Sequence, residues 1–207
     1  MYLPRPFKVD DPARMQALIQ HNPLSLIIVS VDNEAQANSV PMLLDPEVGT
    51  HGQLRFHLAA GNPLVQWLDG ERPALVVFSG DEHYISPDWY AAEQLVPTWN
   101  YSIVQARGTP QLLGDTELVA LLSDLSAVHE EKLKPKKPWT NDKLEPQHFT
   151  RLRLGIRGYQ MPIDSIQGKW KMNQNRGEND RRGAIEALEQ LSDNPGAIAL
   201  AATMRES

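Results

Sequence analysis

Residues 24–44 read LSLIIVSVDNEAQANSVPMLL, and the pattern of this stretch decides the fold class. Leu24 to Val31 is dominated by Leu, Ile and Val over strand length. The Asp32-Asn33-Glu34 turn follows, and Ala37 to Leu44 reads as the second strand of a hairpin. Upstream, Asp11-Pro12 before Met15, Leu18 and Ile19 predicts a capped helix. It ends near Asn22-Pro23, because the residue before proline disfavours helical geometry.

Downstream, Gly49 and Gly52 bracket a turn into Gln53–Leu58, where Leu54, Phe56 and Leu58 share one face and Arg55 and His57 the other. Asn62-Pro63 caps a short helix. Ala74 to Phe78 is a continuous apolar run, expected as a central strand. A turn is expected at Ser79-Gly80-Asp81, with His83-Tyr84-Ile85 extending the sheet beyond it. Proline keeps Ser86–Tyr90 out of regular sheet. Val96-Pro97-Thr98-Trp99-Asn100-Tyr101 opens a strand running to Gly108.

A helix is expected from Asp115 to His129, with Asp115 as its cap and Leu118, Leu121, Leu122, Leu125 and Val128 at helical spacing. Lys134–Pro138 reads as a loop. Leu152, Leu154 and Ile156 alternate as in a strand, and Gln160 to Ile166 continues as strand. A last helix is expected over Asp180–Leu191, with a small apolar tail after Asn194-Pro195-Gly196, so the C-terminal helical segment spans about 178–204. Antiparallel hairpins in place of strand–helix alternation predict an α+β chain, mainly antiparallel β, as a barrel with peripheral helices. Residues 1–207 read as a single domain.

Composition narrows the function. The chain has no cysteine, which excludes disulfides, thiolate metal sites and cysteine nucleophiles. No apolar run is long enough to cross a bilayer and the start lacks the pattern of a signal peptide, so a cytoplasmic protein is expected. The net charge of -6 argues against broad nucleic-acid binding. Charge is uneven, however: residues 1–150 carry eleven Lys/Arg against nineteen Asp/Glu, and residues 151–182 carry eight against three. The basic stretch fits a small phosphate-bearing ligand at least as well as a polymer. Neither a G-x-G-x-x-G nor a P-loop nor a nucleophile elbow is present, and His129-Glu130 fails as a zinc motif because Leu133 stands at the fifth position.

Three segments carry chemistry. In Gly168–Arg176, strand alternation puts Lys169 and Lys171 on one face, where both reach one anion. Gln174 and Asn175 offer amides of the kind that read a flavin's pyrimidine edge or ribityl chain. The same residues also fit a solvated basic strand end. In Phe56–Pro63, His57 precedes a helix start at Asn62 whose first amides could take a phosphate, or Asn62 simply caps that helix. Tyr84–Tyr90 and Val96–Tyr101 are dense in aromatics, fitting core, subunit interface or a wall for a flat ring.

Taken together these residues resemble the PaiB-like family of FMN-binding negative transcriptional regulators. The likeness rests on Met1-Tyr2-Leu3-Pro4, His57-Leu58-Ala59 with Asn62-Pro63, Tyr84-Ile85-Ser86-Pro87-Asp88-Trp89-Tyr90, and Val96-Pro97-Thr98-Trp99-Asn100-Tyr101. His129-Glu130, Pro138-Trp139 and Lys169–Asn175 extend it to nearly the whole chain. The resemblance implies a split β-barrel, a homodimer, and FMN or a related flavin held by Ser39, His57, Asn62, Lys169, Lys171, Gln174 and Asn175. DNA enters as a partner through the family's label alone. The chain departs from the family pattern at Ser39-Val40, where a histidine is lost, at Ala60, where an arginine is usual, and at Asn173, where a serine is usual. One lost charge-assisted hydrogen bond costs about 1.5–3 kcal/mol. The alternatives are a flavin-dependent oxidoreductase and a dimeric interaction protein whose flavin site has decayed.

Overall fold

In the structure, a computed structural model describing residues 1–207, the hairpin closes more tightly than its sequence pattern suggests. The elements run β1 (Lys8–Val9), α1 (Pro12–His21), β2 (Leu24–Val31), β3 (Glu34–Pro41), β4 (Leu43–Asp45), β5 (Gln53–Ala59) and β6 (Ala74–Ile85). They continue with β7 (Thr98–Gly108), β8 (Gln111–Leu112), α2 (Asp115–Glu131), α3 (Pro146–Leu154), β9 (Ile156–Pro162), β10 (Ser165–Lys171), α4 (Glu178–Gln190) and α5 (Pro195–Arg205). Asp32 and Asn33 take φ of 50° and 66°, the two-residue turn that matches strand twist. Pairing therefore begins at Val31↔Glu34, and β3 starts three residues before the expected Ala37. It also ends early: the Met42 amide donates to the Pro23 carbonyl (2.8 Å), and the chain passes to β4, which pairs with β5.

The chain divides into two units. The first comprises residues Met1–Asn22, Val77–Gln105 and Gln167–Ser207. In it β1, β10, β7 and β6 lie side by side in that order, β1 antiparallel to β10. Helices α1, α4 and α5 supply Ile19, Leu188 and Leu200 to its buried core. The expected turn at Ser79–Asp81 is not a turn. β6 runs unbroken, and Gly80 is there because a Cβ would collide with Ser102 Oγ. The small apolar tail after Pro195 is a full helix, capped by Asn194 through the Ala197 amide (3.1 Å) and burying Ala197, Leu200, Ala201 and Met204.

The second unit comprises Pro23–Val76 and Ala106–Ile166. It holds the β2–β3 hairpin and an antiparallel sheet in the order β4-β5-β9-β8. Phe56 stacks on Tyr159 across β5 and β9, ring centres 5.4 Å apart. Leu118, Leu121 and Leu125 of α2 form a buried cluster with Leu113 and Ile156 packed against it. Its N-cap is Gly114; Asp115, expected to cap, lies in the first helical turn, where its charge suits the helix dipole. The segment expected as a strand around Leu152 and Leu154 is α3, opened by Pro146. Both leucines are exposed, so their alternation reported no core.

Close approach of α2 to β9 depends on Gly158, where a Cβ would stand 2.8 Å from Leu118 Cδ1. Gly158→Val is expected to destabilise the protein by about 1–3 kcal/mol through overpacking. Urea unfolding reads this, with Gly61→Ala, a position with open space around it, as the control that changes little.

Candidate functional site

Lys169 and Lys171 lie two residues apart at the end of β10, and so on one face of the strand. Only 8% of Lys169 is exposed, and its ammonium lies over the rings of Tyr101 (5.1 Å) and Tyr2 (5.8 Å). The aromatic faces offset part of the cost of burying this charge. The Lys171 ammonium donates to Thr98 Oγ1 and to the Trp99 carbonyl (2.8 Å). Burial, then repulsion from Lys169 and Arg176, holds Lys171 below the usual lysine pKa.

A tight turn brings Arg176 into this group. Asn173 takes φ 61°, a left-handed conformation that asparagine tolerates, and its Nδ2 donates to the Tyr90 hydroxyl (3.3 Å). The Arg176 amide closes the turn on the Asn173 carbonyl (2.9 Å). Gln174 locks it: Oε1 accepts from the Met172 amide (2.7 Å) and Nε2 donates to the Trp170 carbonyl (2.8 Å). Arg176 then lies over the Tyr90 ring at 5.4 Å. None of the ion pairs in the structure involves Lys169, Lys171 or Arg176. Arg176 completes a group that sequence spacing had limited to the two lysines.

The seven expected site residues fall into two sets. Lys169, Lys171, Gln174 and the exposed Asn175 belong to the first unit. Ser39, His57 and Asn62 belong to the second. Asn62 caps the 3-10 turn Pro63–Trp67 through the Leu64 amide (2.9 Å), and its Nδ2 donates to Asn38 Oδ1 (3.1 Å), next to the exposed Ser39. His57 stands apart from these two, lining a largely apolar cavity with His129, Glu130 and Trp139. Burial holds its imidazole below the ordinary histidine pKa.

These features meet known proteins over the whole chain. Residues 1–165 match the family described as "Putative FMN-binding domain". The chain is 31% identical over 206 residues to "Protease synthase and sporulation protein PAI 2" of Bacillus subtilis (strain 168), covering 100% of this chain and 97% of that protein. It is 30% identical over 220 residues to "Uncharacterized protein AN0679" of Emericella nidulans, covering 88% of each. Among solved structures, the FAD and heme binding protein from Mycobacterium smegmatis aligns with a TM-score of 0.59 at 17% identity, over 84% of this chain and 75% of that one. The architecture is α+β with antiparallel sheets, the split-barrel fold of flavin proteins. The chain belongs to the FMN-binding domain family, and FMN is the cofactor that this membership indicates. The family match ends at residue 165, so Lys169, Lys171 and Arg176 are covered by the full-length relative instead.

The depressed pKa of His57 has a consequence for folding. As the pH falls through the ordinary histidine value of 6.5, the unfolded chain takes up a proton that the folded chain resists. Stability is therefore lost on acidification through this window. In urea unfolding between about pH 8 and pH 5, His57→Gln is expected to show a shallower loss of stability than the parent protein.

Proposed function

We propose that the chain is an FMN-binding regulatory protein, acting as a cytoplasmic homodimer, that grips the flavin's phosphate through Lys169, Lys171 and Arg176. The observation that carries this reading is the set of three cations, two of which repel the Lys171 charge and none of which has an ion pair in the chain. Two ammonium groups and a guanidinium supply ample positive charge and N–H donors for a phosphate dianion. Arg176 offers a planar two-pronged donor of the type lost at Ala60. Gln174 orients the turn, and exposed Asn175 supplies an amide to the remainder of the ligand. Bound FMN supplies a redox-active ring.

The regulatory part of the reading draws on the Bacillus subtilis relative, whose name refers to protease synthesis and sporulation. The homodimer draws on an exposed aromatic patch in the first unit, where Tyr84 meets Trp99 edge-on at 6.3 Å with Val96 nearby in sequence. No helix is long and apolar enough to cross a membrane. The net charge of -6 favours contact with flavin and protein over a long phosphate backbone. A salt-sensitive footprint on a defined operator would assign DNA as a direct partner.

Flavin-stripped protein titrated with FMN, followed by quenching of flavin fluorescence, tests the cofactor reading. Saturation on the order of micromolar is expected, falling by about tenfold to a hundredfold in the Lys169→Ala, Lys171→Ala double variant. The reading fails if FMN does not bind at tens of micromolar, or if the double variant binds as well as the parent.

A further inference from the structure

A cavity of about 510 Å³ lies within the second unit, and neither its walls nor its charge suit a phosphate. Its lining is mainly apolar and includes Leu24, Leu125 and Trp139. Leu24, one of the lining residues, is a large aliphatic group 68% exposed. The polar members of the lining include the imidazoles of His57 and His129 and the carboxylate of Glu130; no lysine or arginine lines the space.

The polar wall is fixed in place. Glu130 Oε2 accepts from the Trp139 amide (2.8 Å) and from the Lys136 ammonium. Those bonds, Lys136 foremost, hold Glu130 below the usual carboxylate range, so it is anionic at neutral pH. They also tie the Trp139 loop to the end of α2. His57 lines the cavity from β5, while its Nδ1 has no accessible surface and no hydrogen-bond partner, so a cavity occupant meets the rest of the ring. Buried polar atoms almost always find such a partner. Arg55, two residues earlier on the same strand, joins Asp45 (2.6 Å) and Asp124 of α2 (2.9 Å), fixing α2 over this strand.

We propose that this cavity is a ligand site for an uncharged aromatic molecule carrying one N–H or O–H donor, of the size of an indole or a phenol. Apolar walls beside Trp139 take the ring, as in pockets for small molecules generally. Glu130 Oε1, the oxygen that the Trp139 amide and the Lys136 ammonium leave free, accepts from the donor. With Glu130 paired to Lys136 and no lysine or arginine in the lining, carboxylates and phosphates find no counter-charge there. The ligand would touch the end of α2, the Trp139 loop and the mouth of the β2–β3 hairpin together. The inference stands whether or not the cationic set in the first unit binds FMN.

The test titrates the full-length protein with indole, with benzothiophene (the same shape without the N–H) and with benzoate, by calorimetry and ligand-observed NMR. Indole is expected to saturate, benzothiophene to bind several-fold more weakly, and benzoate not to bind. Ser126→Trp, which fills the cavity from α2, is expected to abolish indole binding with the melting transition and FMN titration unchanged. If that variant does not fold, Leu24→Glu, at an exposed lining residue, provides the same comparison. No saturation by indole, equal binding of all three probes, or undiminished binding in the folded variant would overturn the proposal. So would stoichiometric displacement of indole by FMN, which would give the cavity to the flavin. A failed FMN titration beside saturable indole binding would sink the flavin reading and leave this one standing.

Discussion

Lys169, Lys171 and Arg176 gather positive charge near one strand end with no ion pair to a carboxylate of the chain, and the residues around them must accommodate it. Like charges brought together out of bulk water raise the free energy of the folded protein. The chain offsets that cost locally. Tyr2 and Tyr101 turn their rings to Lys169, Thr98 and Trp99 accept from Lys171, and Tyr90 lies beneath Arg176. Gly168 contributes by having no side chain: a Cβ there would stand 2.8 Å from Met15 of α1. The left-handed Asn173 and the amide of Gln174 then hold the turn that returns Arg176 to the lysines.

The second unit places its chemistry by opposite means. Its charged groups are largely consumed internally, Arg55 by Asp45 and Asp124, and Glu130 by Lys136 and the Trp139 amide. What remains is an apolar space bordered by a neutral imidazole. Gly158 permits this arrangement by letting α2 settle against β9, so that Leu125 can face both the buried cluster and the cavity.

Much of the fold was legible in the sequence where burial and periodicity coincide. β2 alternates between buried and open positions along its whole length, and its expected bounds match. β3 was misplaced because Glu34–Ala37 are all exposed and leave no hydrophobic pattern; its start is set by two positive φ angles. Leu152 and Leu154 misled for a related reason, since two exposed leucines on a helix mimic strand alternation. Lys169 and Lys171 could be read from spacing because a strand has a period of two. Arg176 could not, because its position depends on the Asn173 turn. The cavity joins residues from Leu24 to Trp139 and exists only in the folded chain, although His57, His129-Glu130 and Trp139 each stood out separately.

The most direct test of the central claim is the ionisation of Lys171, followed by NMR of its side chain with and without FMN. In the free protein it should titrate below an ordinary lysine, because burial and its cationic neighbours oppose the charge. A bound phosphate supplies the missing counter-charge, so the account predicts a clear upward shift when FMN is added and none with riboflavin, which has no phosphate. A Lys171 titration unmoved by saturating FMN would contradict the account.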